Sequence, residues 1–138
     1  MTFFWPLMKN AITQADRDAI IEFIKTTNRF TNGPKVREFE QKWSDWLGVK
    51  HSVYVSNGST ANFLLVSSII DKHGLKKGDK VLVPAMTWVT NIGPIIQLGL
   101  QPVFCDVDPK TFCFDTKHMR YLKEKHGEEI KMIFISHL

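Results

Sequence analysis

Apolar residues recur along this chain in two periods that take turns, and the alternation predicts the order of its elements. Ile12, Ala15, Ile20, Ile21, Phe23 and Ile24 share one face of a helix over 13–27, with Thr13 three residues before Asp16 as its capping pair. The turn-rich run Asn28-Arg29-Phe30-Thr31-Asn32-Gly33-Pro34 ends it. Helical spacing then resumes from Lys35 to Leu47 through Val36, Phe39, Trp43, Trp46 and Leu47, closed by Gly48, with the two tryptophans expected in a core. Four strands are predicted beyond that point, at 51–55, 80–84, 101–107 and 130–136, and three helices, at 59–72, 86–98 and 116–126. Pro94 falls inside the second of those helices and leaves its start open, while Asp108-Pro109-Lys110-Thr111 reads as a turn.

Strands that alternate with helices need crossover connections, so the fold class is α/β with a mostly parallel sheet flanked by helices. We expect one incomplete domain, comprising a helical segment over 1–48 and an α/β portion over 49–138. A parallel strand is normally buried on both faces. The pattern closes on Phe134-Ile135-Ser136-His137-Leu138 with no helix to cover that strand, which gives the expectation of the front part of something longer.

Composition narrows the function classes. With 43% apolar residues, the 138-residue chain has the material for a core. No apolar run approaches the roughly 20 residues that span a bilayer, and no basic segment followed by an apolar stretch opens the chain, so the expected location is the cytoplasm, away from membranes. Cys105 and Cys113 are the only cysteines and form no metal-ligand spacing; free thiols in a reducing compartment account for them. The net charge of +4 is scattered among acids, with much of the excess at Lys72, Lys76, Lys77 and Lys80 around one turn, which argues against a nucleic-acid partner. The five histidines, His51, His73, His118, His126 and His137, show no ligand spacing, so no metal site and no Ser/His/Asp constellation is proposed.

The chemistry is concentrated at two turns. In Tyr54-Val55-Ser56-Asn57-Gly58-Ser59-Thr60-Ala61-Asn62, β-branched residues pass through a glycine to hydroxyl residues and then to a helix pattern. The first N–H groups of a helix have no intrahelical partner and sit at the positive end of its dipole, so they collect an anion such as a phosphate. Gly58 permits close approach, and the Ser59 and Thr60 hydroxyls add donors. Asn, Ser and Thr are equally ordinary N-caps, and that alternative stands beside the anion site. The run is neither a P-loop nor a glycine-spaced dinucleotide fingerprint. Ligands in open α/β sheets bind at the carboxyl ends of strands, so the turn after Val83 is the second place. There Pro84, Met86, Thr87, Trp88 and Asn91 form an aromatic and polar group. Trp88 either stacks on a flat ring or fills a gap between helix and sheet. His137 stands at a strand's carboxyl end, and Asp106 with Asp108 reads as a turn rather than as a pair of catalytic carboxylates.

Four pieces in this order carry a family resemblance: Thr31-Asn32-Gly33-Pro34, Ser56-Asn57-Gly58-Ser59-Thr60-Ala61, Val83-Pro84-Ala85-Met86-Thr87-Trp88-Val89-Thr90-Asn91, and Gly99-Leu100-Gln101-Pro102-Val103-Phe104-Cys105-Asp106-Val107-Asp108. From about Trp5 to Leu138 the chain resembles the DegT-type, pyridoxal-phosphate-dependent sugar aminotransferases. The resemblance implies the N-terminal part of a fold type I large domain, a three-layer arrangement. It implies that Gly58, Ser59 and Thr60 hold the phosphate of pyridoxal 5′-phosphate, that Trp88 stacks on its ring with Asn91 nearby, and that Thr31 borders a nucleotide-sugar pocket. It further implies an amino-acid donor as co-substrate and a homodimer.

In that family the acid that pairs with the pyridine nitrogen and the lysine that bonds the cofactor lie beyond the last residue here, so no residue of this chain is assigned a catalytic role. On its own the chain is expected to bind the cofactor weakly and to catalyse nothing unaided. Two alternatives accompany the aminotransferase reading. One is the dehydrase branch, which deoxygenates keto-sugars and which Phe4-Trp5-Pro6-Leu7 and the Trp88 and Pro94 region resemble. The other is a short product that has lost catalysis and serves as a binding or assembly piece.

Overall fold

The computed structural model describes residues 11–136; His137 and the Phe4-Trp5-Pro6-Leu7 run singled out above lie outside them. The chain divides into two compact units, one ending at Tyr54 and one beginning at Val55.

Among its described residues the first unit holds two helices. Helix α1, Gln14–Thr26, opens on the expected capping box, in which the Thr13 hydroxyl accepts from the Asp16 N–H and the Asp16 carboxylate accepts from the Thr13 N–H. Helix α2, Pro34–Leu47, starts with proline at its first turn and stops at Gly48, whose φ of 70° is the left-handed conformation that only glycine adopts without strain. The apolar stripe of α2 does not form the expected core. Trp43 and Trp46 are 43% and 74% exposed and pack on each other with ring centroids 5.0 Å apart. Helical periodicity fixes which face is apolar; Phe39 on that face packs edge-on against Tyr54 at 5.4 Å, while Trp46 stays exposed.

The expected strand at 51–55 is also absent. A strand exists only through a partner's hydrogen bonds, and here the Tyr54 N–H is taken by the Glu40 carboxylate at 2.9 Å instead. That bond, with Arg37 beside it, holds the Glu40 carboxyl below its usual range.

The second unit is a layered α/β arrangement. Helix α3, Gly58–His73, leads to strand β1, Lys80–Pro84; α4, Val89–Gln97, to β2, Gln101–Cys105; and α5, Thr116–His126, with a short 3₁₀ turn at Gly127–Glu129, to β3, Ile130–Ile133. The sheet order is β2-β1-β3 and both pairings are parallel. β1 is therefore central, and its side chains alternate between two apolar layers. Val81 and Val83 join Val66 of α3, Ile95 of α4, Leu100 and Met132 in one buried cluster, while Leu82 joins Cys105 and Leu122 of α5 in the other. Two layers of helix enclose the sheet, the three-layer plan expected. β2 and β3 end earlier than predicted, at Cys105 and Ile133; past Cys105 only Val107 continues, in an isolated antiparallel bridge to Phe114.

Asp115 caps α5 by accepting from the Lys117 N–H at 2.7 Å and the His118 N–H at 3.0 Å. The His118 bond first, then the Lys117 bond, lowers the Asp115 carboxyl from its ordinary 3.8. A carboxyl depressed in the folded state contributes stability that is complete above its unfolded value and is lost as pH falls through the folded one. Acidification below about pH 4 should accordingly increase hydrogen exchange of the α5 amides, and Asp115→Asn, which keeps an acceptor but has no charge, should flatten that dependence.

Candidate functional site

The site is built where the parallel strands end. The loop after β1 carries Thr87 and Trp88, the segment after β3 carries Ser136, and a hydroxyl–hydroxyl hydrogen bond of 2.7 Å between Thr87 and Ser136 joins them. Asn91, in the first turn of α4, donates from Nδ2 to Thr87 Oγ1 at 2.8 Å and to Ser136 Oγ at 2.7 Å. Asn62 of α3 donates from Nδ2 to Asn91 Oδ1 at 2.8 Å and to the Thr90 carbonyl at 3.2 Å. Two helix N-termini, of α3 and α4, thus meet at the carboxyl edge of the sheet.

At the α3 terminus the N-cap reading of the Asn-Gly-Ser-Thr run is realised, and it leaves other atoms of the turn unpaired. Asn57 is the N-cap: its Oδ1 accepts from the Thr60 N–H at 2.9 Å, and the Thr60 hydroxyl lies 3.2 Å from both Asn57 Oδ1 and Ser56 Oγ. Thr60 is therefore engaged within the cap. The N–H groups of Gly58 and Ser59 and the Ser59 hydroxyl have no partner among the described residues. Gly58 has no positive φ, and a Cβ built on it meets nothing within 4 Å, so the space in front of this turn is open. Unpaired N–H groups at the positive end of a helix, facing open space, fit an anionic oxygen group.

Helix α4, whose start the pattern left open, begins at Val89. Thr87 has turned its hydroxyl to Ser136, and Trp88 is extended (φ −71°, ψ 140°) as the N-cap residue. The indole of Trp88 does not fill a gap against the sheet: the residue is 74% exposed. An exposed indole at the same sheet edge as an open helix terminus fits an aromatic ring joined to an anion.

The structure brings Gly58, Ser59, Thr60, Trp88 and Asn91 to this one edge. Thr31 belongs to the first unit, where it lines a cavity of about 470 Å³ with Phe23, Phe30, Phe39 and Tyr54 as its aromatic walls and Arg29 and Lys35 as its cations. The remaining titratable candidates have structural work. Asp108 starts the expected turn, its carboxylate accepting from the Lys110 N–H at 2.7 Å. Asp106 lies 3.4 Å from His118 Nδ1. Cys105 is buried, which pushes its thiol up and away from nucleophilic use. Among the described residues no group of three or more His, Cys, Asp or Glu side chains forms a metal site. The pattern of residues did not single out Asn62 or Ser136; the available signal was Pro94, four residues after Thr90, which deprives the Thr90 carbonyl of its helical donor.

Comparison with known proteins gives a consistent set of matches. The family model described as the DegT/DnrJ/EryC1/StrS aminotransferase family matches residues 10–138. The GDP-4-keto-6-deoxy-D-mannose 3-dehydratase of Yersinia pseudotuberculosis is 36% identical over 136 residues, 97% of this chain and 34% of that protein. The GDP-perosamine synthase of Caulobacter vibrioides is 34% identical over 107 residues, 78% of this chain and 28% of that protein. Among solved structures, that of the E. coli GDP-4-keto-6-deoxy-D-mannose 3-dehydratase with bound hydrated pyridoxal phosphate superposes with a TM-score of 0.83 at 33% identity, covering 98% of this chain and 34% of that one. The chain spans about a third of the length of the curated relatives it matches.

Proposed function

The chain belongs to the DegT/DnrJ/EryC1/StrS aminotransferase family, and on that premise we propose that it forms the cofactor-cradling part of a pyridoxal-phosphate-dependent enzyme acting on a nucleotide-linked keto-sugar. The observation that carries the reading is the meeting of two helix N-termini at the sheet's carboxyl edge, one with free N–H groups at Gly58 and Ser59, the other with the open indole of Trp88. In this reading the two N–H groups and the Ser59 hydroxyl take the phosphate. Thr60 and Asn57 keep that turn in shape. Trp88 would hold the ring, and Asn91 fixes the turn that carries Trp88 through Thr87 and Ser136. When bound, pyridoxal phosphate supplies an electron sink for the bond broken next to nitrogen. This chain's own part is to bind, orient and fix the ring.

The substrate side of the proposal rests on the relatives' names. Transfer of an amino group from an amino-acid donor such as glutamate to the sugar is the reading the family description supports. Loss of a sugar oxygen is the second reading, favoured by the 3-dehydratase matches over 97% and 98% of the chain. Thr31 is assigned to the nucleotide-sugar side, supported by the aromatic and cationic lining of its cavity. We take the working enzyme as a cytoplasmic homodimer, a reading to which the exposed Trp43 and Trp46 lend support. No described helix is long and apolar enough to cross a membrane.

Calorimetric titration of the protein with pyridoxamine 5′-phosphate tests the cofactor part, because this form lacks the aldehyde that reacts with any surface lysine. Saturable binding is expected, and absence of binding overturns the reading. In an assay of the whole working enzyme with a nucleotide-linked keto-sugar, pyridoxal phosphate and labelled glutamate, nitrogen entering the sugar identifies amino transfer. A deoxygenated sugar free of label identifies the dehydratase.

A further inference from the structure

A proline inside a helix has no N–H to give, so the carbonyl four residues earlier loses its donor. In α4 that proline is Pro94, and the carbonyl is Thr90's. The replacement comes from another helix: Asn62 of α3 donates to it from Nδ2 at 3.2 Å. A backbone carbonyl only accepts, so it fixes which end of the Asn62 amide faces α4. The same Nδ2 then meets Asn91 Oδ1 at 2.8 Å, which in turn directs Asn91 Nδ2 toward Thr87 and Ser136. One interior proline thus determines the polarity of a chain of amides and hydroxyls across the whole edge.

We propose that Asn62 is a positioning residue that holds the first turn of α3 at a fixed distance from the first turn of α4, so that a phosphate and an aromatic ring of one molecule are met together. The proposal rests on the reading of this edge as the pyridoxal-phosphate site. Asn62 does not touch the ligand; it ties the turn carrying Gly58 and Ser59 to the turn carrying Trp88 and Asn91. Ligands that use only one of the two turns gain nothing from the tie, whereas a ligand that spans both requires it.

The test compares pyridoxamine 5′-phosphate with pyridoxamine, which has the ring without the phosphate. In the wild-type protein the phosphorylated ligand should bind far more tightly. Asn62→Ala should weaken the phosphorylated ligand by about tenfold, the effect of two lost hydrogen bonds, and leave pyridoxamine nearly unchanged, so the ratio of dissociation constants contracts. Asn62→Leu, close in size and uncharged but without the donors, should behave like Asn62→Ala. Pro94→Ala restores an N–H at residue 94 for the Thr90 carbonyl, so in that background Asn62→Ala should lower the melting temperature less while still contracting the ratio. This keeps a folded variant available. An unchanged ratio in folded variants overturns the proposal while the cofactor site stands. Equal loss of melting temperature in both backgrounds also overturns it, by removing the Thr90 step. Failure of the wild-type protein to bind pyridoxamine 5′-phosphate overturns the site and the proposal together.

Discussion

Replacing Ser59 by aspartate is expected to abolish most of the phosphate affinity while leaving the fold intact. The residue sits in the first turn of α3, where a carboxylate is favoured by the helix dipole, so the variant should melt no lower than the wild type and by up to about 1 kcal/mol more stably. The same carboxylate would occupy the ground assigned to a doubly charged phosphate. Two unit charges about 4 Å apart repel by about 4 kcal/mol at an effective dielectric of 20, and salt with side-chain relaxation removes part of that. About a hundredfold weaker binding of pyridoxamine 5′-phosphate should remain, with pyridoxamine little affected. Ser59→Ala, which loses only the hydroxyl, should cost about fivefold. A variant melting normally and binding normally would remove the α3 terminus as the anion site. The value of the experiment is that stability and affinity are driven in opposite directions by one charge, so a folding defect cannot imitate the result.

Elements whose signals are local were legible in the sequence. Thr13 with Asp16, Pro34 and Gly48 mark helix ends through groups a few residues apart, and α1, α2 and α5 begin and end within a residue of their predicted bounds. Elements that depend on a distant partner were not. Residues 51–55 have strand character, but pairing is a property of two segments, and the Glu40 carboxylate takes the amide that a neighbouring strand would use. Trp43 and Trp46 lie on an apolar stripe as the period demands, yet their burial depends on what lies opposite. The start of α4, which the pattern left open, has the same origin, because the Thr87 hydroxyl is bound to Ser136, forty-nine positions away.

The site divides in the same way. The glycine and hydroxyl run after residue 55 and the tryptophan after β1 were readable because each is a short motif at a strand-to-helix turn. That Asn57 would take the Thr60 N–H and leave those of Gly58 and Ser59 free depends on one side-chain rotamer that the sequence leaves open. Asn62 was hidden because its partners are 28 and 29 positions away, and only the misplaced proline announced that some donor had to come from outside the helix.

Truncation of Leu82 to alanine should be the most damaging single change to the second unit, with consequences that reach the site. Leu82 is 2% exposed, lies mid-strand in the central β1, and fills the layer between the sheet and α5 with Cys105, Leu122 and the partly buried Val103, Phe114, Met119 and Ile130. A buried leucine flanked on both sides by neighbouring strands leaves a cavity that cannot collapse, so a cost of about 3 kcal/mol is expected, a large share of the stability of a small domain. Hydrogen exchange of the β1 amides should accelerate roughly a hundredfold if they open with the unit as a whole. Leu82→Met, which nearly conserves volume, should cost under about 1.5 kcal/mol. The Leu82 carbonyl also accepts from the Phe134 N–H at 2.9 Å, two residues before Ser136, so the strand that carries the core also anchors the segment that closes the hydroxyl network. Loosening β1 should therefore weaken pyridoxamine 5′-phosphate binding even though Leu82 is on the opposite layer from α3 and α4. Unchanged exchange in Leu82→Ala would mean that α5 does not seal this face, and the three-layer account of the unit would fail with it.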